Sequence, residues 1–158
     1  MTGDAMKWQT ERIWLCCPAV ILFCSDVTIT LSSQRAAFWE GAFHTVEEAN
    51  PLARVLLLFG PWTFLSAAVC WVSVCILAML YGNRGLARAL SYGLTIGHAL
   101  GTASWLPRHG RVGFLAAILL IVAAKQIMDW CWAKSDVEFQ NNGLQELVRK
   151  REPPVQIL

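Results

Sequence analysis

The chain has 158 residues, 56% of them hydrophobic and only 15% charged, with a formal net charge of +2. A composition this apolar excludes an ordinary soluble domain, and so small and scattered a charge excludes a nucleic-acid-binding surface. At this length one compact bundle is the economical arrangement, and no repeat, low-complexity run or Gly/Ser linker divides it.

Four apolar stretches follow one another at roughly 13–31, 52–81, 86–106 and 112–133. Each is long enough to cross a hydrocarbon core of about 30 Å as a helix rising about 1.5 Å per residue. The expected fold is therefore all-α, a transmembrane bundle of four helices over 1–134 with a polar tail over 135–158. Its expected partner is the lipid bilayer, with no nucleic acid and no cofactor.

The first stretch follows Lys7 and Arg12, as a signal peptide would, but Asp26 interrupts it and the apolar run resumes through Leu31. Thr30-Leu31-Ser32 is a poor cleavage site, so the stretch reads as a retained helix. The connection that follows carries Phe38, Trp39 and Phe43 and is expected to lie along the membrane interface. The second stretch opens at Asn50-Pro51, with Asn as N-cap and Pro at the first helical position. Glu48 there also gains from the positive end of the helix dipole. The stretch is longer than one crossing requires, and Pro61 predicts a kink near Phe59-Gly60. The third ends at Trp105-Leu106-Pro107, and the fourth follows Arg108-His109-Gly110-Arg111 and runs to Lys134.

Four crossings would place the N-terminus, the 82–88 turn and the tail on one side. That side carries eight basic residues: Lys7, Arg12, Arg84, Arg88, Lys134, Arg149, Lys150 and Arg151. The other carries four: Arg35, Arg54, Arg108 and Arg111. The positive-inside rule then puts both termini in the cytoplasm, in a multi-pass protein of the cell membrane. Trp14, Trp62, Trp105, Trp130 and Trp132 fall near helix ends, as interfacial anchors would.

The six cysteines all lie inside apolar stretches without metal or redox spacing, and read as free thiols. Gly93, Gly97 and Gly101 recur every four residues, a ridge for close helix packing. That ridge serves the bundle itself or the seam of a homo-oligomer formed through the third helix. Lys125 and Asp129 share a helix face near its end, as an anchoring pair.

Asp26 and His98 are harder to place. The first and third helices run the same way, and both residues come out at comparable depth, about 8–10 Å below the outer boundary. Thr30 lies one turn beyond Asp26 on the same face, and Glu48 and Asn50 lie above them. An ionisable residue in a membrane helix is expensive and turns toward a partner or a wet cavity. Asp26, Thr30, Glu48, Asn50 and His98 are thus the candidate polar or ligand site, as a structural pair, a proton or ligand site, or a metal site. One His with two carboxylates is a thin metal donor set, and no H-x-x-x-H or H-E-x-x-H spacing supports it. No Gly-x-Ser-x-Gly, Gly-x-Gly-Asp or phosphate-loop motif indicates catalysis. The residues favour a structural or interaction role with a buried polar cluster; the alternative is a small transporter or an ion- or proton-binding protein.

Asp26-x-x-x-Thr30, a loop, and then Glu48-x-Asn50-Pro51 opening a long apolar helix resembles an uncharacterised prokaryotic family of small multi-helix membrane proteins. That family repeats an Asp-x-x-x-Thr element followed by Glu-x-Asn-Pro. The likeness covers about residues 13–81 and implies a prokaryotic inner-membrane location. It points to Asp26, Thr30, Glu48 and Asn50, and since the family has no assigned activity it implies no mechanism.

Overall fold

A computed structural model of the protein describes residues 2–151, with side chains at 11–145 and 147. Every element in that range is helical, with no strand among the described residues. Helix α1 spans Thr2–Ser32, and α2 is a single turn at Ala36–Trp39. Helix α3 spans Pro51–Leu58, α4 Pro61–Tyr81 and α5 Arg84–Trp105. A 3-10 turn at Leu106–His109 leads into α6, Gly110–Arg151.

Three stretches are long and apolar enough to cross a membrane: Glu11–Ser32, Pro61–Tyr81 and Arg84–Gln145. The last runs to 62 residues. It contains α5 and most of α6, folded back on each other at the 3-10 turn. Trp132 Nε1 of α6 donates to Ser91 Oγ of α5 at 3.3 Å, and Arg84 donates to Asp136 at 2.6 Å. Such contacts between the start of α5 and the far part of α6 require an antiparallel hairpin. The apolar surface agrees with a lipid solvent. Trp71, Val74 and Leu77 on α4 and Val112, Phe114, Leu115 and Leu119 on α6 are all exposed, a belt that water would not tolerate.

Helix α1 is the hub. At one end, here the turn end, Leu15, Cys16 and Ala19 form a core with Met79 of α4 and Ala87 of α5. Midway, Leu22 meets Ala99 of α5 and Ala124 of α6. At the opposite, loop end, Val27 and Leu31 pack on a core of Phe38, Val46, Leu57 and Phe64. α1 therefore runs parallel to α5 and antiparallel to α4 and α6. Phe38, from the connection, is fully buried, so that segment inserts an aromatic plug instead of merely lying along a surface. Trp105 likewise turns inward, only 4% exposed, with the Arg108 guanidinium 4.1 Å from its ring centroid.

Two expectations change on contact with the structure. The second apolar stretch is not one kinked helix but two, α3 and α4. Pro61 disfavours helical backbone at the residue before it, and Gly60 adopts φ 108°, ψ 164°, a conformation closed to side chains. The chain leaves the helix over Phe59 and Gly60 and restarts at Pro61, where the missing N–H costs nothing. Within the bundle α5 also packs mainly through another series, with Gly101 alone of the three glycines in contact. Ala87, Ser91, Thr95, Ala99 and Ala103 face inward, again at four-residue spacing, and let α1 and α6 approach closely. A Cβ added at Gly93 or Gly97 would meet nothing within 4 Å.

Lys7, Arg149, Lys150 and Arg151, which entered the charge count, have side chains outside the described residues, as does the end of the tail, 152–158. At the turn end the Arg12 guanidinium donates to Leu80 O at 3.0 Å, to Met79 O at 3.3 Å and to Gly82 O. These carbonyls close the C-terminus of α4, where no further helical N–H is available to them. Arg12→Leu is expected to destabilise the protein by about 1.5–3 kcal/mol, the range for hydrogen bonds to a charged group. The readout is the thermal unfolding midpoint in detergent, and an unchanged midpoint would remove this clamp from the account.

Candidate functional site

The site begins with one helical repeat on α1. Phe23, Asp26, Val27 and Thr30 recur at three- and four-residue spacing and so share the face turned to α4 and α5. Across from them, α5 presents His98, Gly101 and Trp105 by the same spacing. Since α1 and α5 run parallel, the two series meet at one level.

Asp26 Oδ2 lies 2.9 Å from His98 Nδ1. Both side chains are mostly withdrawn from the surface, 22% and 19% exposed. With Asp26 ionised, Nδ1 carries the hydrogen and donates, which fixes the ring's tautomer. The edge of Phe23 stands against the imidazole at a centroid distance of 5.3 Å and an interplanar angle of 79°. Gly101 leaves the room this geometry uses. A Cβ there would sit 2.6 Å from Asp26 Oδ1 and 2.8 Å from Oδ2, so the carboxylate rests in the notch left by the missing side chain. Of the three glycines expected to pack, this one does, and it packs against a charge.

Glu48 and Asn50 arrive from the connection between α1 and α3. Asn50 Oδ1 accepts from Leu52 N at 3.0 Å and from Ala53 N at 3.4 Å, the N-cap expected from the sequence. Glu48 Oε1 accepts from Asn50 N at 2.8 Å and so stiffens the cap. Two residues that the sequence did not single out hold this segment over the helices. Gln34, buried at the end of α1, donates from Nε2 to Thr30 O at 2.9 Å and to Glu47 O at 3.2 Å. Its Oε1 accepts from Glu47 N at 3.0 Å. Glu47 then takes Arg108 at 3.0 Å and Arg35 as ion-pair partners. The adjacent acids thus divide their work: Glu47 latches the loop to two cations, and Glu48 faces inward.

Between α1, α3, α4 and α5 this leaves a cavity of about 460 Å³. Asp26, Thr30, Glu48, Asn50 and His98 all line it, together with Phe23, Phe64, Trp71 and Trp105. No Lys or Arg does. Among the described residues no three His, Cys, Asp or Glu side chains converge closely enough to hold a metal ion. The cysteines stand apart from the site: Cys16, Cys75 and Cys131 are buried, Cys24 and Cys70 exposed, and all are unpaired thiols. Lys125 and Asp129 pair with each other at 2.5 Å on an exposed face of α6.

Compared with known protein families, curated proteins and solved structures, the chain matches none of them. The reading of the site therefore stands on its own geometry.

Gly101 and Gly97 make a matched pair of tests. Gly101→Ala forces the Asp26 carboxylate aside and is expected to destabilise by about 1–3 kcal/mol, the range for overpacking a filled site. Gly97→Ala, with open space around it, is expected to be neutral or stabilising by up to about 1 kcal/mol through reduced chain entropy. Thermal unfolding of both variants in the same detergent checks the contrast; equal effects would mean that Gly101 is not a seat for Asp26.

Proposed function

We propose that the protein is a multi-pass membrane protein of the prokaryotic inner membrane whose cavity binds a small ligand within the bilayer. The chain would cross four times, through α1, α4, α5 and α6, with both termini and the polar tail in the cytoplasm. The antiparallel order of those helices supports an even number of crossings, and the excess of basic residues at the turn end supports this orientation. The loop end, with the cavity, would then face outward.

The observation that carries the ligand reading is the cavity itself. A hydrogen-bonded acid–imidazole pair in hydrocarbon could be a packing lock alone, and the Asp26–His98 hydrogen bond favours that second reading. A lock, however, is best made by filling the space around it. Here the pair borders about 460 Å³ of unfilled volume, within the range of small-molecule sites. A second acid and a capped helix start also border it, although neither is required for the lock. A carboxylate hydrogen-bonded to an imidazole can also take up or release one proton between its two members, as a proton-linked carrier requires. Gly93 and Gly97, on the open face of α5, offer a seat for a second copy should the functional unit be an oligomer.

Two measurements test this. Reporter tags at the two ends are expected on the same side of the membrane; opposite sides would refute the four-crossing arrangement. In a chain carrying Cys24→Ser and Cys70→Ser, thiols introduced by Ala53→Cys and Ala67→Cys are expected to react with a charged methanethiosulfonate about tenfold faster than one from Val74→Cys on the lipid-facing side. Equally slow labelling at all three would mean that water, and a polar ligand with it, does not reach the cavity.

A further inference from the structure

We infer that the ligand of this cavity is a small organic cation, an amine or quaternary ammonium group carried on an apolar body. The inference rests on the ligand-binding reading above and narrows it to a chemical class. The charge on the lining decides the sign. Asp26 and Glu48 are carboxylates, His98 is neutral or singly positive, and neither Lys nor Arg contributes. An anion would meet two carboxylates, with the His98 imidazole the one group in the lining able to offset them, and that imidazole is already hydrogen-bonded to Asp26. A neutral apolar molecule would displace water from both carboxylates and return no hydrogen bond to them, which is costly in a medium of low dielectric. A bare divalent metal ion lacks its ligands, since no three donors converge.

The walls decide the body. Phe23, Phe64, Trp71 and Trp105 bring four aromatic rings to one chamber. Aromatic faces attract ammonium groups, most strongly where water is excluded, and several of them together suit a quaternary or alkylated amine. The volume points the same way. About 460 Å³ corresponds to roughly fifteen waters at about 30 Å³ each, far more than a dehydrated inorganic cation fills. Trp71 is 58% exposed, so one wall of the chamber reaches the outside of α4, a side entrance for an amphipathic molecule already dissolved in the bilayer. The same chemistry is shared by a free amine and by the amine headgroup of a phospholipid.

The test uses the full chain in detergent, with tryptophan fluorescence and calorimetry as readouts. Three soluble probes of similar size and different charge are titrated: benzyltrimethylammonium, N-benzylacetamide and phenylacetate. The cation is expected to bind one per chain, at least about tenfold more tightly than the other two, a difference readily resolved by either method. Asp26→Asn and Trp71→Leu are each expected to weaken it about fivefold or more, for loss of the charge and of a cation–π face. Glu48→Gln keeps the acceptor for Asn50 N and is expected to weaken it several-fold while leaving folding intact. Since Trp71 is largely exposed, that variant and Glu48→Gln carry the test even if Asp26→Asn does not fold.

Repeating the titration in nanodiscs separates the two sources. Weakening when phosphatidylethanolamine replaces a neutral glycolipid at fixed phosphatidylglycerol content identifies a lipid headgroup; equal affinity in both identifies a free amine. If N-benzylacetamide or phenylacetate binds as tightly as the cation, and Trp71→Leu weakens that binding, the cation inference is wrong while the cavity remains a ligand site. If none of the three probes binds, the inference and the ligand reading fall together.

Discussion

A polar side chain in hydrocarbon must find its partner inside the protein, because the solvent offers none. That constraint organises this chain more than any single apolar contact does. Its polar groups gather at three levels. At the turn end, Arg12 closes the carbonyls of α4, while Arg84 and Arg88 converge on Asp136. Deep in the bundle, Asp26 meets His98. At the loop end, Gln34 and Glu47 tie α1 to the connection and to Arg108. Each level joins α1 to a different neighbour, so the polar contacts fix the register that the apolar cores alone would leave loose. Leucines slide past one another at little cost, whereas a hydrogen bond tolerates only a few tenths of an ångström.

The same constraint explains where the chain can afford to break its helix. Gly60 leaves the helical conformation between α3 and α4, releasing backbone groups that must be satisfied locally. They are: Phe59 N donates to Leu56 O at 3.2 Å, Gly60 N to Leu57 O at 2.9 Å, and Phe64 N to Gly60 O at 3.3 Å. Gly60 itself is buried against the ring of Phe43, while Phe59 and Trp62 on either side of it are exposed. The consequence of the break is a change of direction. On an unbroken helix the same residues would lie along one face but spread over about 28 Å; the change of direction gathers Leu52, Ala53 and Leu56 with Phe64, Ala67 and Trp71 around one chamber.

What could be read from the sequence was whatever depends on period and on chain-local chemistry. The apolar stretches, the cap at Asn50 and the similar depth of Asp26 and His98 follow from rise per residue, helical spacing and the missing N–H of Pro51. What could not be read depends on which face meets which. The sequence holds two small-residue series at the same spacing on α5, one through Gly93 and Gly97 and one through Ala87, Ser91, Thr95, Ala99 and Ala103. Nothing local says that the second turns inward. Gln34 and Glu47 are ordinary polar residues until their partners, thirteen positions apart, are brought together. Glu11, only 3% exposed beside Arg12, was invisible for the same reason, since burial at the start of an apolar stretch is set by the neighbouring helices. The connection carrying Phe38 and Phe43 matched the pattern of an interfacial segment, yet Phe38 found a hole between α1, α3 and α4.

The cavity follows from how α4 and α5 are joined. Only Gly82-Asn83 separates them, and Met79 and Ala87 share one core with Leu15, so the two helices are held together at the turn end. At the loop end α4 is continuous in sequence with α3 and α5 with the 3-10 turn. α1 lies along both helices; beyond Leu22 the face it turns to them carries Phe23, Asp26 and Thr30, which line the chamber, while Val27 and Leu31 continue the packing onto the loop-end core. A large apolar residue in place of Asp26 would close the chamber at no electrostatic cost. The chain instead places a carboxylate there and removes the side chain of residue 101 to seat it. A chamber open beside that carboxylate lets water or a cationic group offset its desolvation. On the ligand-binding reading proposed above, the open chamber and the Asp26 carboxylate would be two halves of one site.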